Sequence, residues 1–478
     1  MLRIGSSLRY AIRVASSSTD PSRAKIAAVA GPGRYGPVEE IARLIDSALT
    51  TLDLPDHFVG PGDRIALKPN WVKEHDERYP GPNHWEHVVT HPTVIEAVAR
   101  WTASRLQGKG SVTICDAPQT DSSFTRIREY CRLDDMIVRC HADFPGIEFQ
   151  LLDLRPEEWR AVDGVTVLKT KLPGDPLGNT HVRLDGASEF VGYHGQGRLY
   201  GASYDMAETN AKHNGKHHEY LLCRTPMDAD VFINLPKLKT HKKVGVTCAL
   251  KNLVGINANK NWLPHHTEGT PEHGGDQFPA ATTRARLEHS WMGAAKRWLK
   301  NRPAMSRLFV PVKKAGRLVF GDTRNVVRSG NWHGNDTCWR MVLDLNKCFF
   351  FFDGAGQPRK KPLRYLTVVD GIVAGEGNGP MSPDPKPCGV ILAGTHPVAV
   401  DCVAATLMGF DWQKLRLLTN SFQMKELNFV PFQPDNIEVV SNKPAWTGKL
   451  NQLENTFEFR PHFGWVGAIE NSRKTLAA

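Results

Sequence analysis

Apolar residues recur along this chain with two alternating periods. Lys25-Ile-Ala-Ala-Val-Ala30 is a short continuous run, as in a strand buried on both faces. From Pro37 to Leu52 the apolar positions Ile41, Leu44, Ile45 and Leu49 fall on one helical stripe. Gly62-Asp63 turns into a second strand, Arg64 to Lys68, which stops at Pro69-Asn70. His91-Pro92-Thr93 opens a helix with Val94, Val98 and Trp101 on one face, Gly110 ends it, and Ser111 to Asp116 is a third strand. This grammar predicts an α/β fold, a mostly parallel doubly wound sheet interrupted by antiparallel and helical insertions. Ligands in such sheets collect at the carboxyl ends of strands, where Asn70 and Asp116 fall.

The pattern divides the rest of the chain. After a lead segment (1–24) and the first α/β part (25–145), the spacing loosens into a mixed antiparallel insertion (146–228) that includes a short strand from Val165 to Thr170. A core strand, Ala229 to Leu235, and a Lys/His motif fill 229–255, and a helical basic insertion follows (256–346). The last α/β units (347–412) hold strands at Leu363–Asp370 and Gly389–Gly394 and a helix from Pro397 to Met408. A tail (413–478) contains one strand, Ile437 to Val440. There is no internal repeat and no low-complexity tract.

Composition narrows the class. Of 478 residues, 41% are hydrophobic and 23% charged, which fits a globular protein and excludes a coiled coil or a disordered chain. The net charge of +10 is local: between Arg284 and Arg328 twelve basic residues face only Glu288 and Asp322. The remaining chain is balanced, so no specific nucleic-acid partner is implied. Within that stretch Leu287, Trp291, Ala294, Ala295, Trp298 and Leu299 share a helical face, which would either pack on the core or rest on an anionic membrane surface. No apolar run is long enough to span a bilayer. The nine cysteines include no C-x-x-C pair, so free thiols in a reducing, cytoplasmic setting are expected and an iron–sulfur cluster is not. Residues 1–19 hold three arginines and no acid, either a basic lead segment or a transit-like one.

Candidate chemistry is concentrated in two places. Pro236-Lys-Leu-Lys-Thr-His241 follows a core strand, and Leu250-Lys-Asn252 comes shortly after. Lys239, His241 and Lys251 are the candidate catalytic groups, and Lys68, Asn70, Lys237 and Asn252 the candidate substrate contacts. Clustered ammonium groups suit a phosphate or carboxylate, and one lysine that loses its proton, or His241, would serve as general base. The alternative is a solvated basic loop. The second place is acidic: Asp370 ends a strand, Gly371 to Pro380 is glycine-rich around Glu376 and Asn378, and Asp401 lies in the last helix. Asn378 is a further substrate contact, and Asp370, Glu376 and Asp401 form a candidate set for a divalent ion such as Mg²⁺, if they converge. Ordinary turn chemistry is the other account.

Weaker signals complete the inventory. Gly31-Pro-Gly-Arg-Tyr-Gly36 fits a dinucleotide loop by spacing, but Pro32 removes a donor and no acidic residue ends the next strand, so a plain turn is expected. His213, His217 and His218 lack H-E-x-x-H, so zinc is not expected. Trp332 and Trp339 flank polar donors and would stack on a ligand or fasten a loop to the core.

Taken as a set, Gly62-Asp-Arg-Ile-Ala-Leu-Lys-Pro-Asn70, His91-Pro-Thr, Pro236 to His241, Leu250-Lys-Asn252, Val369-Asp-Gly-Ile372, Glu376-Gly-Asn-Gly-Pro380 and His396-Pro-Val-Ala-Val-Asp401 resemble the domain of unknown function 362 family. The stretch from Gly330 to Asn346 resembles its larger subgroup, and the ferredoxin-type cysteine clusters of some relatives are missing. The resemblance implies an α/β fold but no reaction. Together these features predict an enzyme of unassigned reaction acting on an anionic small molecule, with a non-catalytic anion-binding or scaffold protein as the alternative. Oligomeric state is not legible.

Overall fold

The computed structural model describes residues 20–162, 165–280 and 326–471. Residues 1–19 and all of the basic stretch except its last three residues lie outside these, and so does the stripe from Leu287 to Leu299.

The chain opens with β1 (Ala24–Ala30), α1 (Val38–Leu52), β2 (Arg64–Pro69), α2 (Pro92–Leu106), β3 (Gly110–Asp116), α3 (Phe124–Tyr130), α4 (Leu133–Asp143) and β4 (Ile147–Asp153). The expected stripe holds α1 down: Ile41, Ile45, Ala48, Leu49 and Leu52 are buried, with Glu39 and Glu40 in the first turn, where the helix dipole favours anions. In α2, the His91 ring accepts from the Thr93 amide while Pro92 occupies the first turn. The insertion follows with β5 (Glu157–Val162), β6 (Val165–Lys171), β7 (Asn179–Arg183), β8 (Leu199–Gly201), α5 (Met206–Lys212), β9 (Glu219–Cys223) and α6 (Arg224–Met227). Its strands pair antiparallel, β5 with β6 and β7 with β9. The expected boundary at 146 is too early, because β4 runs parallel to β3 in the main sheet.

Next come β10 (Val231–Leu235), β11 (Lys237–His241), β12 (Gly245–Thr247), α7 (Ala249–Asn252) and β13 (Pro264–Thr267), which pairs with β8. The last part holds α8 (Cys338–Phe351), β14 (Arg364–Asn378), β15 (Ser382–Gly394), α9 (Pro397–Leu407), α10 (Arg416–Ser421), β16 (Ile437–Ser441) and β17 (Gly448–Lys449). Helix α8 crosses the expected boundary at 346. The main sheet has eleven strands in the order β17-β16-β1-β15-β14-β10-β2-β3-β4, with β11 beside β14 and β12 beside β11. Pairing is parallel from β14 through β10, β2 and β3 to β4, and antiparallel where β15 lies between β14 and β1.

Strand side chains alternate between two cores, one on each face. In β1, Ala27 and Val29 join the layer of α1 and α2, while Ile26 and Ala28 join the layer of α8 and α9. Two motifs expected as loops are strands. The Lys/His motif is β11, and the glycine-rich stretch after Asp370 continues β14, paired with β15 as far as Asn378 opposite Ser382. Pro383, Pro385 and Pro387 mask β15 in the sequence. They sit at alternate positions beyond Val390, where β1 no longer pairs, so the amides they lack are not needed by a second neighbour.

Candidate functional site

A row of buried polar residues crosses the carboxyl ends of the parallel strands. Asn234 of β10 lies in register with Lys68 of β2 and Thr367 of β14, and all three are inaccessible to solvent or nearly so. Asn252 of α7 lies over this row: its Nδ2 donates to Asn234 Oδ1 at 2.7 Å and to the Lys68 carbonyl at 3.2 Å. Its Oδ1 accepts from Asn70 Nδ2 at 2.8 Å and Lys68 Nζ at 3.0 Å. Lys68 Nζ also meets Asp116 Oδ1 at 2.8 Å, and Asp116 Oδ2 accepts from the Trp71 amide. Gly255 closes over the pair. A β-carbon there would stand 1.9 Å from Asp116 Oδ1 and 2.4 Å from Lys68 Nζ, so any larger residue would have to displace the ion pair. The structure therefore brings Lys68, Asn70 and Asn252 together as the sequence predicts.

Helix α7 is held from the opposite side. Asp401 of α9 accepts from the Ala249 amide at 2.7 Å and the Leu250 amide at 3.1 Å, two donors that a helix start leaves unpaired. Burial pushes the Asp401 carboxyl up to about 7. Asp401 thus fixes the turn that carries Lys251 and Asn252.

Strand β11 supplies the second side. Lys237, Lys239 and His241 alternate with Leu238 and Thr240, so the three share a face while Leu238 enters the core and Thr240 Oγ1 donates to the Gly377 carbonyl. Lys237 Nζ reaches Asp370 Oδ2 at 2.9 Å and donates to the Tyr35 hydroxyl. That hydroxyl donates in turn to Asp370 Oδ1 at 2.8 Å, and the Tyr35 ring stacks on His91. Lys239 Nζ donates to the Val88 carbonyl. Burial and the charges of Lys237 and Lys68 drive its ammonium well below the ordinary lysine range. His241 Nδ1 accepts from the Lys243 amide at 3.0 Å. Burial, with Lys251 and Lys242 adding to it, holds the ring neutral. A neutral ring whose Nδ1 accepts carries its proton on Nε2. In this arrangement His241 presents a hydrogen-bond donor at Nε2.

Lys251, Lys243 and Lys260 complete the cluster. All are buried. Lys243 Nζ donates to the Ser329 carbonyl, and Lys260 Nζ to the carbonyls of Val254 and Asn257. Burial lowers both to about 7. Lys251, lowered by burial and by its like-charged neighbours Lys242 and Lys68, makes no hydrogen bond or ion pair among the described residues. His265 lies close enough to feel Lys251, Lys243 and Lys260 together. Of the six buried lysines in this cluster, only Lys68 and Lys237 pair with carboxylates among the described residues. Asn70 Oδ1 and Thr247 Oγ1 are also buried without a partner among the described residues, and Thr247 is the register partner of Lys239. This arrangement can hold a negative group with hydroxyl or acid protons beside it.

The carboxylates do not converge. Asp370 is committed to Lys237, Tyr35 and the His91 amide, Glu376 to Lys386 and Arg460, and Asp401 to α7. Among the described residues no three His, Cys, Asp or Glu side chains are grouped to hold a metal. The glycines after Asp370 serve close strand packing, since a β-carbon on Gly375 would come within 2.8 Å of the His87 carbonyl and one on Gly379 within 2.1 Å of that of Thr240. Asn378 lies at the hairpin end, outside the network of Asn252. Trp332 and Trp339 fasten their loop, donating to the Asp276 carbonyl and to Asp336. Tyr35, Lys243, Thr247 and Lys260 escaped the sequence reading. Tyr35 lies in an ordinary-looking turn and meets Asp370 only through the fold.

These features define an α/β protein with a buried, lysine-rich site at the carboxyl ends of its parallel strands. Residues 182–406 match the family described as Domain of unknown function (DUF362), the same family that the motif blocks resemble. A thylakoid-associated protein of Synechocystis sp. is 25% identical over 190 residues, covering 40% of this chain and 36% of that relative. The chain thus matches little more than a third of the relative's length. A crystal structure of a Thermotoga maritima protein aligns over 75% of this chain and 54% of its own, with 9% identity and a TM-score of 0.30, too low to support any further comparison.

Proposed function

We propose that this protein binds an anionic small molecule, bearing a carboxylate or a phosphate, among Lys239, Lys251, Lys243 and His241, and that this cluster is an enzyme active site. One observation carries this: of the six buried lysines in this cluster, four have no carboxylate partner among the described residues. Desolvated ammonium groups without counter-charge are costly, and such a cluster is relieved by an anion or by loss of protons. Lys68, Lys237, Asn70 and Asn252 frame the ligand, His241 donates to it through Nε2, and Lys251 or Lys239, as an uncharged amine, accepts a proton from it. A divalent ion, if one takes part, would arrive with the ligand and not on Asp370, Glu376 and Asp401. The second reading, anion binding without turnover, draws support from His241 being a donor.

All nine cysteines are free and eight are buried, which suits a reducing compartment such as the cytoplasm. Among the described residues no helix is long and apolar enough to cross a membrane. Peripheral membrane contact through 284–328 stands as a proposal on residues outside the described ones, and flotation with anionic liposomes at low salt tests it.

Native mass spectrometry of the purified chain should show a retained anion, and Lys251→Met should release it. Equal retention in Lys239→Met and Lys251→Met would place the ligand elsewhere.

A further inference from the structure

A cavity of about 330 Å³ lies between the β5–β6 hairpin and the segment from Ala258 to Asn261, at the small end of the roughly 300–1,000 Å³ typical of small-molecule sites. Its lining differs in kind from the lysine cluster. Three carboxylates, Glu157, Asp205 and Glu208, and three basic side chains, Arg155, Lys169 and Lys260, share its wall. Acidic and basic groups are mixed, so the wall is not a concentrated positive site for an anion. Much of the wall is already bonded within itself and rigid. Arg155 is tied to Asp153, Glu158 and three carbonyls, and Glu208 accepts from Asn259, Asn261 and the Trp262 indole. Carboxylates accept only, so the capacity that Glu157 and Glu208 retain calls for hydrogen-bond donors. The Thr120 and Ser203 hydroxyls bond to each other at 2.9 Å and leave one proton to give. Trp159 adds an aromatic wall, its indole tied to Glu157 and its ring covered on one side by Lys169.

Lys260 is common to this cavity and the lysine cluster. It lines the cavity, and its ammonium lies within electrostatic reach of Asp116, Lys68 and His265. A ligand seated in the cavity would present its charged end to Lys260, on the side of the lysine cluster.

We infer that the cavity takes the polyhydroxylated body of the anion whose charged group the lysines hold, so that the ligand is a sugar phosphate or a sugar acid. Hydroxyl groups supply the donors that Glu157 and Glu208 require and accept from the Thr120–Ser203 pair, while C–H faces lie against Trp159. The inference rests on the proposed anion site and adds to it the class of ligand.

Isothermal titration of the full chain separates the two. Glucose 6-phosphate is compared with inorganic phosphate, and gluconate with acetate. At least tenfold tighter binding is expected for the sugar-bearing member of one pair, identifying phosphate or carboxylate as its anion. That preference should fall towards unity in Trp159→Leu, and several-fold in Ser203→Ala, a change small enough to preserve folding. If inorganic phosphate or acetate binds but its sugar counterpart binds no tighter, the polyol inference is overturned and the anion site stands. If both pairs fail to bind, both readings fall. A preference that survives in both variants would also overturn the assignment of this cavity.

Discussion

Lys251 and Lys68 present the same side chain in opposite circumstances, and substitutions should separate them. Lys68 is balanced by Asp116 at 2.8 Å, so Asp116→Asn leaves a buried ammonium uncompensated and should cost about 3–5 kcal/mol of stability. Lys251 has no such partner among the described residues. Lys251→Met should leave the unfolding midpoint unchanged or raise it, while lowering affinity for the anion by roughly one to two decades, about 1.5–3 kcal/mol. Denaturant titrations and ligand titrations on the two variants check both statements. A destabilised Lys251→Met would mean that this lysine is structural.

Among elements, the short helix α7 depends on a residue 150 positions away. Asp401→Ala removes the acceptor of two buried amides and should cost about 1–3 kcal/mol per amide left unpaired. Because α7 carries Lys251 and Asn252, anion affinity should fall with it. Asp401→Asn, which keeps one acceptor oxygen, should recover part of both, and equal losses in the two variants would contradict the positioning role. The sequence reveals α1, α2, β2, β3 and α9 because their periodicity and caps are local. It hides the role of Asp401, since nothing near it in the chain indicates that it ends beneath Ala249. It likewise presents Asp370 to Asn378 as a loop, because glycine and alternate prolines conceal a pair of strands whose register is set by tertiary packing. The lysine motif is legible as a cluster of charge, but not as a strand with Lys237 already neutralised by Asp370.

For the whole molecule, buried histidines set the response to acid. Burial pushes His213 and His462 down to about 3 and His218 and His396 down to about 4. Each is neutral when folded, so its stabilisation is complete above the unfolded value near 6.5 and is lost as pH falls towards 3–4. Asp401 and Asp344, raised to about 7 and about 6, act in the opposite sense, binding protons in the folded state before the unfolded one. Burial lowers His241 and His265 in the same sense and raises Asp276. The depressed histidines therefore outnumber the raised carboxyls, unfolding takes up protons, and stability should fall by at least about 2–3 kcal/mol per pH unit between pH 6 and 4.5. Urea titrations across that range check the slope. Stability that is flat or rises on acidification would contradict the buried, neutral histidines.

The depressed lysines offer the most direct test of the proposed anion site. At pH 8, groups brought down to about 7, such as Lys243 and Lys260, are mostly uncharged, and an anion beside them restores their protons. Inorganic phosphate titrated calorimetrically at pH 8 in two buffers of different ionisation enthalpy should therefore bind with uptake of about one proton or more, and Lys251→Met should bind it at least tenfold more weakly. Binding with no proton uptake and no loss in Lys251→Met would place the anion outside the buried lysine cluster.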